Sequence, residues 1–163
     1  MTRFVRKGGH GIAGPGTRHS LYLLLGAVLG VAGCWSGAPN VIPLTDSEKN
    51  LTNIVVAYRD AQPELKHPPK NADELKPFLK TYGDPDQMLI SPNDGEPYVI
   101  VWGVDTARGG PTDYQGMWGI IAYERKGAGG KRAVVDVRGR PLTIPEPDFT
   151  KLTFVGGHKP SGN

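Results

Sequence analysis

The apolar positions along the chain change their period twice. Residues 21–33, "LYLLLGAVLGVAG", form an uncharged run with no polar face at all. From Thr45 onward the pattern becomes helical: Leu51, Ile54, Val55 and Tyr58 recur at three- and four-residue intervals through "SEKNLTNIVVAYRDA", the spacing of one helix face. Thr45 and Glu48 have capping-box spacing and set its start, and Pro63 predicts its end. One packing face against a sheet accounts for the whole stripe. "PELKHPPK" then reads as an extended link, because a residue that precedes proline is pushed out of the helical region. A second, shorter helix follows, with Leu75, Phe78, Leu79 and Tyr82 as its apolar face and Gly83 as its stop. Asn71 or Asp73 can cap it; Pro77 is best tolerated in a first turn, which favours Asp73.

Beyond Gly83 the period shifts towards two. "PYVIVWG" (97–103), "MWGIIAYE" (117–124) and "RAVVDV" (132–137) are rich in β-branched and aromatic residues and are bounded by glycine, proline or aspartate, which predicts strands. "RKGAGGK" and "RGR" have the composition of hairpin loops. "PLTI" adds a last short strand, and "PEPDFTKL" a closing turn or helix. Helices first and an antiparallel sheet second define an α+β fold, with an N-terminal amphipathic helix packed on a small sheet. The predicted body covers residues 45–155, and residues 156–163 read as a disordered tail.

A length of 163 residues suits one small domain with an appendage, and 23 glycines and 15 prolines without a collagen-like period favour many turns and short elements. The net charge of +3 divides unevenly. Arg3, Arg6, Lys7 and Arg18 precede Cys34 with no acidic residue, leaving 15 Lys/Arg against 16 Asp/Glu after it. The basic character therefore belongs to the leader, and the body carries no basic stripe with interleaved aromatics, which argues against nucleic-acid binding.

A positively charged, glycine-rich start followed by an apolar run that ends in small residues is the layout of a secretory signal. The run is 13 residues long, short of the roughly 20 that a membrane-spanning helix needs. It ends in Val31-Ala32-Gly33-Cys34, and Cys34 is the only cysteine in the chain. This tetrapeptide resembles the lipobox of bacterial lipoproteins. The resemblance implies cleavage between Gly33 and Cys34, a diacylglycerol thioether on the Cys34 thiol and further acylation of the freed amine. Two or three acyl chains anchor firmly where one binds marginally. Residues 1–33 are then a signal peptide and 34–44 a tether. No twin-arginine pair is present, so general export is the default route. Trp35, not aspartate, follows the cysteine, and both the cell membrane and an outer membrane stay open as destinations. Gly9 to Gly14 matches G-x-G-x-x-G, but no strand precedes it and a signal peptide follows, so it predicts no dinucleotide site.

The phrases "LTNIVVAYRDA", "NADELKPFL", "YVIVWG" and "IIAYE", in that order and before a closing hairpin, resemble the pseudopilin-like domains that are similar in layout to the globular part of the type II secretion major pseudopilin. The resemblance covers about residues 46–155. It implies a helix laid across a small antiparallel sheet, and no established activity. Two departures matter. A fibre-forming pseudopilin keeps its apolar stem after cleavage, whereas here the apolar run lies before Cys34 and is removed. Relatives also often place Asp-Gly in the last hairpin, where this chain has Arg138-Gly139-Arg140.

Candidate chemistry is sparse. No G-x-S-x-G, H-E-x-x-H or C-x-x-C occurs. His67 and His158 read as solvated loop histidines. The acidic loops are better placed: Asp84 and Asp86; Asn93, Asp94 and Glu96; Asp105 and Asp113. Such loops can supply oxygens to calcium, although Asp beside Pro or Gly also makes turns through its own side chain. Trp102, Trp118, Tyr98, Tyr114 and Tyr123 read as cross-strand and core residues, with a carbohydrate platform as the competing use. Nothing in these motifs requires a cofactor. The expectation is a non-enzymatic protein held to the membrane through lipidated Cys34, serving as a structural or interaction module with an envelope protein partner. A ligand-binding lipoprotein for glycan or calcium, or an envelope hydrolase built on converging carboxylates, are the alternatives.

Overall fold

The computed structural model describes residues 42–108, 110 and 114–160. Gly33, Cys34 and the leader lie outside the described residues, as do Asp113 and the last part of the tail.

The first helix, α1 (Asp46–Leu65), begins with the capping box that the sequence predicts. Thr45 Oγ1 accepts from the Glu48 N–H at 3.2 Å, and Glu48 Oε2 accepts from the Thr45 N–H at 2.9 Å. Pro63 does not end the helix. It falls in the last turn, where its missing N–H removes one hydrogen bond only, and the chain turns out at Lys66 in the left-handed region (φ 62°). Leu51, Ile54, Val55, Ala57, Tyr58 and Ala61 make the buried face.

The second helix, α2 (Ala72–Leu79), is capped by Asn71 and not by Asp73. Asn71 Oδ1 accepts from the Glu74 N–H at 3.0 Å, while the Glu74 carboxylate accepts from the Lys70 N–H at 2.9 Å. This pair of bonds fixes the start two residues earlier than expected and leaves Pro77 in the second turn. The price is one missing hydrogen bond to the Asp73 carbonyl, small enough for an eight-residue helix whose Leu75 and Leu79 are fully buried. A further single-turn helix, α3 (Pro85–Met88), was not evident from periodicity; Asp84 caps it by accepting from the Asp86 N–H at 3.0 Å.

Four strands, β1 (Val99–Ile100), β2 (Ile120–Tyr123), β3 (Lys131–Asp136) and β4 (Pro141–Pro145), pair in chain order as an antiparallel meander. The fold is thus α+β, as expected. Ala122 faces Val135, Val134 faces Leu142, and a bulge between Ile120 and Ala122 shifts the register. All four residues of β2 are buried, because both faces of the sheet are covered. On one face, Ile121, Ala133, Val135 and Val137 join Leu51, Ile54, Val55 and Tyr58 of α1 and Leu75 and Leu79 of α2 in a single core. On the other, Ile120, Tyr123, Val134 and Ile144 pack with Phe149, Leu152 and Phe154 from the C-terminal segment, which includes α4 (Glu146–Phe149).

Side-chain staples hold the hairpins. Asp94 Oδ2 accepts from the Lys126 and Gly127 N–H groups at 2.9 and 2.8 Å, tying the 91–96 loop to the β2–β3 hairpin. Gly127 has φ 71°, and a Cβ there would lie 2.1 Å from the Lys131 carbonyl oxygen, so only glycine fits. In the β3–β4 hairpin, buried Asp136 accepts from the Arg138 and Arg140 N–H groups at 2.9 and 3.0 Å and, through its other oxygen, from the Trp118 N–H at 3.1 Å.

The start of the expected disordered tail is instead tied to the body. Val155–Gly157 forms a 3-10 turn, and His158 Nε2 lies 2.9 Å from the Tyr123 hydroxyl in a hydrogen bond. Among the described residues no helix is long and apolar enough to cross a membrane.

Candidate functional site

The acidic loop residues singled out from sequence are distributed over separate loops. Asp84 caps α3 and Asp86 pairs with Lys76 at 2.8 Å. Both border an open cleft of about 700 Å³ that also includes Asn50, Met88 and Ser91. Asp94 staples the hairpin, and Glu96 pairs with Lys126. Burial pushes the Asp94 carboxyl up, but the N–H groups of Glu96, Lys126 and Gly127 outweigh it and hold the group below the ordinary carboxylate range. Asp105 accepts from the Ala107 N–H at 2.9 Å and pairs with Arg108 at 3.1 Å. Each of these acids among the described residues is thus engaged in a cap, a turn or an ion pair. No group of three or more His, Cys, Asp or Glu side chains placed to hold a metal ion occurs among the described residues.

A different carboxylate forms the densest polar constellation. Glu124, the last residue of "IIAYE", is 1% exposed. Its Oε1 accepts from Ser47 Oγ, from Ser91 Oγ at 2.9 Å and from Asn93 Nδ2 at 2.7 Å; its Oε2 accepts from the Ala133 N–H at 2.7 Å. The Tyr98 hydroxyl lies 2.8 Å from Ser47 Oγ. Burial, with a further contribution from the Glu124 charge, pushes that hydroxyl up to about 12. Four hydrogen bonds replace the water that a buried carboxylate gives up. The cluster joins α1, the 91–96 loop, β2 and β3 at one point. Sequence reading missed it, although Glu124 sits two residues beyond Ala122 and so on the same side of the strand, facing α1.

The aromatic residues serve packing. Trp102 stacks on Tyr58 with ring centroids 6.1 Å apart. Tyr123 lies 5.0 Å from Phe149 and 5.3 Å from Phe154, and burial pushes its hydroxyl up. Tyr114 donates to Asp148 at 3.2 Å. Trp118 lies under the Arg138 guanidinium. His158, expected to be solvated, is half-buried and rests against Tyr123 and Phe154. His67 is half-buried on the interhelix link, 3.9 Å from the Glu74 carboxylate.

A second open cleft of about 490 Å³ runs between the C-terminal segment and the 103–110 loop, bordered by Gly103, Val104, Asp105, Gly119, Phe154 and Val155 among others. Gly119 lets the C-terminal segment approach: a Cβ there would lie 2.7 Å from Val155 Cγ1. No family model, curated protein or solved structure matches the chain.

Proposed function

We propose that this protein is a lipid-anchored component of the cell envelope, with its α+β body exported and acting as a structural or interaction module and not as an enzyme. The observation that carries the reading is the placement of the only cysteine, Cys34, directly after an uncharged run ending Val31-Ala32-Gly33, behind a leader with four basic and no acidic residues. A lone thiol at that position has a chemical use as an acylation site. The body supports a modular role. Its acids and buried polar groups are engaged in holding loops to helices, and a 20-residue helix packed on an antiparallel meander suits the pseudopilin-like layout that the sequence resembles. Without an apolar stem on the mature chain, the module works from a lipid anchor and meets an envelope protein partner through its surface.

The test is the mass of the N-terminal peptide of the protein recovered from its native membrane fraction, beside a Cys34→Ser variant. A peptide that starts at acylated Cys34, absent from the variant, is the expected result. An unmodified N-terminus at another residue, or a retained leader, overturns the anchor.

A further inference from the structure

Two arginines without an anionic partner among the described residues meet at one cleft. It measures about 410 Å³ and is bordered by Arg59 of α1, Thr106 and Ala107 of the 3-10 turn Thr106–Arg108, and Val137 and Arg138 of the β3–β4 hairpin. Neither Arg59 nor Arg138 forms an ion pair among the described residues. The nearby carboxylates are occupied by other arginines: Asp105 by Arg108 at 3.1 Å and Asp136 by Arg140 at 3.4 Å. Asp60, beside Arg59 in sequence, does not border the cleft.

The donors are partly organised in advance. The Arg138 guanidinium carbon sits 3.5 Å from the centroid of the Trp118 ring, which fixes the plane of the guanidinium and leaves its edge N–H groups free to donate. Thr106 Oγ1 accepts from Gln62 Nε2 at 2.8 Å, so its own O–H remains to be donated. The Ala107 and Arg138 backbone N–H groups are already taken by Asp105 and Asp136. Recognition at this cleft therefore falls to three side chains: two guanidiniums and a hydroxyl.

We propose that this cleft binds a phosphoryl group. Three donor side chains from three elements match the three terminal oxygens of a phosphate ester, where a carboxylate would offer two. Paired arginines suit a dianion, and although both arginines are exposed, stacking on Trp118 holds the Arg138 guanidinium in a fixed plane, so less side-chain freedom is lost when it donates. The assignment stands independently of the lipid anchor, and the phosphate can come from a free anion or from a phosphomonoester headgroup, which keeps the three terminal oxygens that a phosphodiester lacks.

The experiment is a titration of the full-length protein in a non-ionic detergent with inorganic phosphate and, separately, with glycerol 3-phosphate as the headgroup probe. Nuclear magnetic resonance of the arginine Nε–H and tryptophan indole N–H groups supplies the readout. Saturable shifts at Arg59, Arg138 and Trp118 are expected, with R59A and R138A each weakening binding roughly tenfold or more. R138K, which keeps the charge but loses the stacked plane, should weaken it as well. Saturation with both probes supports a site for the phosphoryl group itself, and saturation with one alone supports the site and identifies the source. Shifts that do not saturate, that are equally large at the exposed Arg125, or that survive unchanged in R59A and R138A overturn it.

Discussion

Glu124 illustrates how one residue can decide whether three segments stay together. Its carboxylate accepts four hydrogen bonds, three on one oxygen and one on the other, and it is 1% exposed. Glutamine in its place keeps the shape but retains only one accepting oxygen. The side-chain NH2 group must then face either the Ala133 N–H or the Ser47, Ser91 and Asn93 donors, and the backbone N–H cannot turn away. Glu124→Gln is expected to lower stability by about 1–3 kcal/mol, the cost of a buried donor left unmade. The check is a fall in the urea midpoint at unchanged slope; a wild-type midpoint would show that the donors find other partners. The sequence carries half of this site. Alternation from Ala122 puts position 124 on the same side as that core residue, but the bulge at Ile120 breaks the alternation before it, and nothing local reveals that Ser47, Ser91 and Asn93 return to the same point. Those residues lie 77, 33 and 31 positions away. Turn chemistry was easier to read. Asp84, Asp94 and Asp105 sit beside Pro or Gly or precede a turn, and their side chains accept from nearby N–H groups as that composition suggests.

At the scale of elements, local signals were legible where the capping bonds are local, and misleading where proline dominated the reading. Thr45 and Glu48 marked the start of α1 because both partners lie within one turn. Pro63 and Pro77 suggested boundaries that the helices do not respect, since packing of Leu51, Ile54, Tyr58, Leu75 and Leu79 outweighs one missing hydrogen bond at each. The bulge in β2 and its parallel bridge from Ile120 to Phe154 had no local signal. That bridge can be tested. Gly119 stands directly before it, where a Cβ would lie 2.7 Å from Val155 Cγ1 but 3.6 Å from the Val155 backbone nitrogen. Gly119→Ala is therefore expected to cost roughly 1–3 kcal/mol through overpacking. Removing the opposing methyl with Val155→Ala relieves the clash. The double variant should lose less stability than the two single losses combined, by about 0.5–3 kcal/mol in a double-mutant cycle. Strict additivity would mean that the two segments do not meet there.

At the scale of the whole molecule, the decisive feature is that the sheet has no bare apolar face. A helix-on-sheet reading leaves the second face to solvent, yet Ile120, Tyr123, Val134 and Ile144 lie on it and are at most 3% exposed. They are covered by Phe149 and Leu152, from the segment that reads from sequence as a closing turn or helix, and by Phe154 just beyond it. Arg132 belongs to the same layer. It is 3% exposed, pairs with Glu146 through Nε at 3.0 Å, and lies over the Phe149 ring at 4.1 Å. A chain that stops at Pro145 would lose this cover and leave Arg132 without its carboxylate, exposing an apolar patch of the kind that causes association. The expected outcome is loss of a cooperative thermal transition and gain of binding to a hydrophobic dye. A chain that stops at His158 keeps Phe154 and the Tyr123–His158 contact and should match the full chain to within about 0.5 kcal/mol. The pair of truncations locates the end of the folded body by stability alone. If the Pro145 truncation unfolds cooperatively at the full-length temperature, the second core is a passive covering. If it does not, the C-terminal segment is as much a part of the fold as α1, and the surface left for a partner lies on the loops and edges and not on the sheet.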